Sequence, residues 1–328
     1  MHLGDNLTLI RDAEWADLDE LLRLQGLAGE GMDELGPHFA AGSCTSERLR
    51  RGLQSILRAR PGSVVVAESR TGGGLMGYVM TTVAENEPFS TPRYGYVICL
   101  YVGQEYRDRG TGNALQEAVE GRFREEGLQA AQVEVSGRDL AAQSLWRSRG
   151  FETFLDRLWR LADSTICAEE DPDYLVRPAH SGDREAVVRL WKEMMDIHAA
   201  VDERLKIAPD WRDQVEHSVK HWLRDHDSRL IVAEAANGVI GFALGGLVRP
   251  TFGFGPPEYG HIAHLCVSSE FRRRSVGRQL FASLGDWFVR RRVACIHLYV
   301  SSLNPVSRQF WRAMGFEDCA SRLWRYLV

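Results

Sequence analysis

From Tyr94 the chain reads YGYVICLYVGQEYRDRGTGNAL, and from Tyr259, 165 residues later, it reads YGHIAHLCVSSEFRRRSVGRQL. The offset holds downstream. Arg107 falls on Arg272, Trp146 on Trp311, GFE at Gly150 on GFE at Gly315, and RLWRL at Arg157 on RLWRY at Arg322. With small indels the match also runs upstream, where LIRDAEWADLDELLRL faces LVRPAHSGDREAVVRL. A repeat of this length is a domain in its own right, so the 328 residues must fold as two like units, each able to bury its own core. Between the copies lies ADSTICAEEDPD, polar and acidic with one proline, which reads as a surface linker. The expected organisation is therefore residues 1–163, a linker at 164–173, and residues 174–328.

Each copy carries the same order of elements. LDELLRLQGLA and EAVVRLWKEMM space their apolar residues three and four apart after an acidic first turn, the pattern of an amphipathic helix. SVVVAES and LMGYVMTTV flank RTGGG, as RLIVAEA and VIGFALGGL flank ANG, and both read as hairpins. YVICLYV is a strand running straight into the glycine stretch. After it, Leu115, Val119 and Phe123 in one copy, and Leu280, Leu284, Trp287 and Phe288 in the other, line a helix face. A strand, a short helix, a Gly-Phe turn and a closing strand follow. The fold class is α+β: two similar domains, each with a mixed central sheet flanked by helices.

Composition narrows the function. A formal net charge of -5 gives no general pull toward phosphate backbones, so nucleic acid is not an expected partner. Six scattered cysteines without a C-x-x-C pair fit free thiols in a reducing cytoplasm, with neither a disulfide framework nor a metal site. The first residues lack a basic and then apolar leader, and no run is long enough to span a bilayer, so no membrane partner is expected.

The stretch Arg107-Asp108-Arg109-Gly110-Thr111-Gly112-Asn113 sits between a strand and a helix start. Free amides at a helix N-terminus and the positive end of its dipole hold anions, glycines let the backbone wrap a phosphate, and arginines add charge-assisted bonds at the rim. A pyrophosphate is the natural guest; a tight turn with solvated arginines is the alternative. A dinucleotide fingerprint is excluded because Leu115 stands where its third glycine belongs, and no Gly-Lys-Ser/Thr ends the loop as in a Walker motif.

These residues resemble the GNAT superfamily of acyl-CoA-dependent N-acyltransferases, whose loop reads Gln/Arg-x-x-Gly-x-Gly/Ala after a strand of the type I-x-x-L-x-V. Arg107-x-x-Gly110-x-Gly112 after ICLYV matches in full; Arg272-x-x-Ser275-x-Gly277 after AHLCV carries serine at the first glycine. The likeness extends to Asn304, Ser307, Gly315 and Phe316, so it spans nearly all of both copies. It implies that acetyl-CoA is the cofactor. The loop amides would bind its pyrophosphate through residues 107–113 and, in the second copy, Arg272, Arg273, Arg274, Ser275, Val276, Gly277 and Arg278, with Asn304 nearby. The strand backbones Leu100, Tyr101, Val102 and Leu265, Cys266, Val267 would pair with the pantetheine arm and polarise the thioester carbonyl. Ser275 makes close approach harder, so the first copy is the safer cofactor binder.

The acceptor implied is an amine of a small molecule or peptide. An amine of pKa near 10.4 is mostly protonated at pH 7, which costs roughly 4–5 kcal/mol, so a base is useful. Many relatives place a carboxylate on the strand before the loop; here the first copy has Tyr96, Ile98 and Cys99, and the second has His261 and His264. These two histidines are the candidate bases, directly or through water, with strand-edge or core hydrogen bonding as the structural alternative. Glu85 and Glu87 are the nearest acids for the first copy, and His198 reads as a solvated surface residue. Tryptophans 146 and 311 stand where relatives often carry an acidic tyrosine; indole cannot protonate a leaving thiolate, so both read as packing residues. Two functions stay open: an acetyltransferase, and an acyl-CoA-binding regulatory protein with one or both copies inactive. The duplication can also mimic a dimer, which makes a monomer sufficient.

Overall fold

The computed structural model describes residues 8–29, 46–59, 62–85, 88–162, 171–250 and 258–327. The expected linker lies mostly outside these, at 163–170, as do Cys44, Glu87 and Cys167. The first half contains β1 (Thr8–Asp12), α1 (Leu18–Gly29), α2 (Ser46–Ala59), β2 (Val64–Ser69), β3 (Leu75–Glu85), β4 (Arg93–Val102), α3 (Thr111–Glu125), β5 (Ala130–Ser136), α4 (Leu140–Ser148) and β6 (Glu152–Leu161). The second repeats them as β7 (Tyr174–Pro178), α5 (Arg184–Val201), α6 (Trp211–Trp222), β8 (Ser228–Ala235), β9 (Gly238–Val248), β10 (Tyr259–Val267), α7 (Val276–Arg290), β11 (Cys295–Ser301), α8 (Pro305–Ala313) and β12 (Glu317–Tyr326). The second helix of each half, α2 and α6, goes beyond the elements read from the sequence.

All twelve strands join in one sheet in the order β1-β2-β3-β4-β5-β12-β6-β11-β10-β9-β8-β7. Among the described residues only β4 with β5 and β10 with β11 run parallel. The closing strands are exchanged. β12 from the second half pairs with β5, β6 from the first half pairs with β11, and the two closing strands pair with each other at the centre. Both β6 and β12 carry RLWR, so this shared segment does not tell their slots apart.

The sheet is buried on both faces, as alternation along β2 illustrates. Val65 and Ala67 pack with Leu115, Val119 and Phe123 of α3, while Val64 and Val66 pack with Leu21 and Leu24 of α1 and Leu53 of α2. Burial of each such side chain contributes about 1.5–3 kcal/mol, an upper figure because unfolded chains are themselves partly compact. The second half repeats the layering with α7 on one face and α5 and α6 on the other. Each first helix is pinned to its edge strands by the same ion triad. Arg11 grips Asp17 at 2.7 Å and Glu68 at 2.6 Å; Arg177 grips Asp183 at 2.8 Å and Glu234 at 2.7 Å.

Candidate active site

Strands β4 and β5 are paired only from Gly95 with Ala131 to Val97 with Val133, and then they part. At that point β4 bulges: its register on β3 jumps between Val97 and Cys99, leaving Ile98 unpaired. The second half does the same, with β10 and β11 parting after Ile262 and Leu298 and Ala263 left out between Ile262 and His264. A bulge beside a splay re-aims backbone groups into the gap.

In the first half the gap is an open cleft of about 990 Å³. Leu100, Tyr101, Val102, Arg107, Asp108, Gly110, Gly112 and Asn113 line one side. Arg138–Ala142, Leu145, Ser148 and Arg149 supply the opposite wall, and Leu27 and Ala28 of α1 complete it. Sequence reading missed this wall because arginine and alanine on a short amphipathic helix carry no signal of their own. Arg109 and Thr111 are not among the lining residues. The loop is shaped by two left-handed residues, Asp108 at φ +59° and Gly110 at φ +85°, the latter capping α3. Such a turn directs successive amides inward as an anion nest. Arg107 donates from Nε to the Val102 carbonyl at 3.2 Å, which fixes its stem, and the buried Thr111 hydroxyl has no partner among the described residues.

The second loop has the same backbone with different side chains. Arg273 lies at φ +62° and Ser275 at φ +60°, and Arg272 donates to the Val267 carbonyl at 2.9 Å. A left-handed conformation costs a non-glycine residue about 1–2 kcal/mol, which the surrounding fold imposes on Ser275. Here an aromatic ring stands beside the second glycine. Ring carbons of Phe310 stand 3.4 Å from where a Cβ on Gly277 would lie, whereas Gly112 meets only Val102 at 3.7 Å and Leu100 at 4.0 Å. Asn304 is spent as the cap of α8, accepting the Ser307 amide at 3.0 Å. The Cys266 thiol points into the α5 core, donating to the Leu190 carbonyl at 3.3 Å.

His261 and His264 lie deep on the face that carries α5, on either side of the Ala263 bulge, and each keeps partial access to solvent. His264 is boxed by rings, with centroids of Trp222 at 5.7 Å, Trp191 at 6.4 Å and Phe242 at 6.4 Å. Burial first, then His261 and His198, lowers its pKa to about 3. His261 packs edge-on to Tyr299 at 5.8 Å; burial, then Arg322 and Arg157, lowers it to about 4. Both rings are therefore neutral at pH 7. His198 is half-buried, and burial lowers its pKa too, which corrects its reading as a solvated surface residue.

At the equivalent sites of the first half, burial pushes the Cys99 thiol up to about 12 and raises the Tyr96 phenol, so neither ionises at neutral pH. Glu85 is exposed and opposite Arg93, at the far end of β4 from the bulge. Trp146 and Trp311 are buried against Phe151 and Phe316 as packing residues. Cys99, Cys266, Cys295 and Cys319 are free thiols, and no metal-ligand cluster and no helix long and apolar enough to cross a membrane occurs among the described residues.

Where the exchanged strands meet, a polar cluster spans the two halves. Glu134 of β5 receives Arg157 Nη1 at 2.6 Å, the Tyr299 hydroxyl at 2.6 Å and Arg322 Nε at 3.3 Å. Burial alone would raise the carboxyl, but Arg157 and Arg322, helped by the Tyr299 hydroxyl, hold it down at about 2. Glu134 and Tyr299 occupy equivalent positions, as do Arg157 and Arg322, so the cluster sits on the molecular pseudo-dyad.

The acetyltransferase (GNAT) family model matches residues 31–151 and again 191–316, well over half of the chain. No curated protein sequence matches. Among solved structures, a GCN5-related N-acetyltransferase from Sphaerobacter thermophilus is similar at 16% identity, with 98% of this chain and 96% of that one covered and a TM-score of 0.67. A tandem GNAT protein from the clavulanic acid biosynthesis pathway matches at 16% identity over 98% and 99% of the two chains, with a TM-score of 0.60. A glucosamine N-acetyltransferase region of a fungal multi-domain β-N-acetylglucosaminidase matches at 18% identity, covering 98% of this chain and 38% of that one, with a TM-score of 0.62.

Proposed function

The chain belongs to the acetyltransferase (GNAT) family, and from that premise we propose that it moves an acetyl group from acetyl-CoA to the amine of a small molecule or peptide. The observation that carries the reading is the first-half cleft, with its left-handed loop at the start of α3 and about 990 Å³ of space between the parted strands. The residues fit coenzyme A: a nest of amides, a rim of Arg107, Arg138 and Arg149, and an apolar wall of Leu100, Leu140 and Leu145. When bound, acetyl-CoA supplies the activated acetyl thioester.

Amides of Gly110 to Asn113 and the α3 dipole would hold the pyrophosphate, and the backbone beyond the Ile98 bulge would pair with the pantetheine and polarise the thioester carbonyl. In this half no side chain at the bulge ionises near pH 7, so the acceptor must arrive as the neutral amine or lose its proton to water. In the second half His261 and His264 stay the proposed proton acceptors through water, but burial makes both weak bases, against the near-neutral pKa expected of them, so they would hold the proton only in passing. In that half the Phe310 ring lies beside Gly277 of the loop. Phe310 also favours a second reading in which the second half has become a non-catalytic scaffold. The pairing of the halves in one sheet lets a monomer work, and the free thiols suit the reducing cytoplasm.

Calorimetric titration of acetyl-CoA into the wild type, Gly112→Trp and Gly277→Trp, together with thiol release over a panel of amines, tests the reading. Loss of binding in Gly112→Trp and turnover with at least one amine are expected. Binding that survives Gly112→Trp would sink the assignment of the first cleft.

A further inference from the structure

The two arginines on the pseudo-dyad are used differently. Arg157 gives Nη1 to Glu134 and Nη2 to His297, so its fork is spent inside the protein. Arg322 gives only Nε, and at 3.3 Å; among the described residues its two Nη groups donate to nothing. Its side chain is also the more accessible, 25% exposed against 12% for Arg157 and 11% for Glu134. The guanidinium is nevertheless fixed in place, its carbon 3.6 Å from the centroid of Tyr299 and 6.0 Å from that of Tyr96. A planar cation stacked on an aromatic face with a free fork is pre-organised for a bidentate oxyanion. The charge balance agrees: Arg157 and Arg322 against Glu134 leave one uncompensated positive charge.

Tyr96 lies two residues before the Ile98 bulge, about 7 Å along the strand. The bulge is where the first half would present its acyl group. We propose that Arg322, set by the exchanged strand β12 at the seam between Tyr96 of the first half and Tyr299 of the second, is a specificity residue that binds a carboxylate or phosphate on the acceptor, so that the substrate is an amine bearing an anionic group a few carbons away. This rests on the acyltransfer reading above. The same guanidinium lies against the second half, since Tyr299 packs on His261, whereas Arg157 is already bound to Glu134 and His297.

The test compares 4-aminobutyrate with butylamine, and O-phosphoethanolamine with ethanolamine, in the full chain and in Arg322→Gln and Arg322→Lys. Glu134 keeps Arg157 and Tyr299 in both variants, and the ratio of kcat/KM within each pair is a readout that a general folding defect does not move. A preference of at least about tenfold for an anionic amine is expected, collapsing toward unity in Arg322→Gln through KM and partly restored in Arg322→Lys. The pair that shows it tells carboxylate from phosphate. Equal use of charged and uncharged amines, or a preference that survives Arg322→Gln, overturns the proposal while leaving acyl transfer standing. If no amine is acylated, the acyltransfer reading fails and calorimetry decides the anion site alone. Heat of binding for 4-aminobutyrate or O-phosphoethanolamine in the wild type, lost in Arg322→Gln, upholds it; no heat in the wild type overturns it.

Discussion

Gly110 and Ser275 hold the same left-handed turn at the start of equivalent helices, at φ +85° and +60°. Only the serine pays a steric cost for it. Ser275→Gly should therefore stabilise the protein by about 1 kcal/mol, and Gly110→Ser should destabilise it by a similar amount. Urea denaturation of the two variants measures both signs. A neutral Ser275→Gly would mean that the second loop relaxes in solution.

Phe310 stands over Gly277 where Leu145, its equivalent, leaves Gly112 open. The wild type should bind one acetyl-CoA per chain, and Phe310→Ala should raise the stoichiometry toward two. Calorimetry reads the number directly. A wild type that already binds two would show that the ring yields to the cofactor unaided.

The histidines set a pH dependence whose direction follows from their environments. Their folded pKa values, about 4 for His261 and about 3 for His264, lie below the ordinary 6.5, so the unfolded chain binds protons first as pH falls. Their neutral burial contributes in full above about pH 6.5 and is progressively lost down to the folded values, by roughly 2 kcal/mol per histidine at pH 5. His264→Phe, which suits the box of Trp191, Trp222 and Phe242, should flatten the fall in Tm between pH 7 and pH 5. An unchanged slope would place the proton uptake elsewhere.

Glu134 neutralises part of the charge of the largely buried Arg157 and the partly exposed Arg322. Glu134→Gln should destabilise the fold by on the order of 3 kcal/mol, since it leaves Arg157 and Arg322 without their common counterion. Denaturant midpoints test this, and a loss below about 1 kcal/mol would show that water enters and screens the cluster.

Much of this was written in the repeat. The 165-residue offset places the hairpins, the cofactor strands and both loops, because alternating apolar residues and glycines act locally. The strand exchange could not be read, since RLWR at Arg157 and RLWR at Arg322 are interchangeable and only the packed sheet distinguishes their slots. The unequal use of Arg157 and Arg322 was hidden as well. The arginines depend on partners more than twenty residues away, Glu134, His297 and Tyr299, which no local pattern announces.

The exchange of β6 and β12 makes the molecule a clasp: each half is a hook whose tip is seated in the other's eye. A peptide bond cut inside residues 164–173 would leave both hooks engaged, and the nicked protein should migrate as one particle. Two separately made fragments, in contrast, would each offer an empty groove and a loose ribbon, and they should find one another before either is whole.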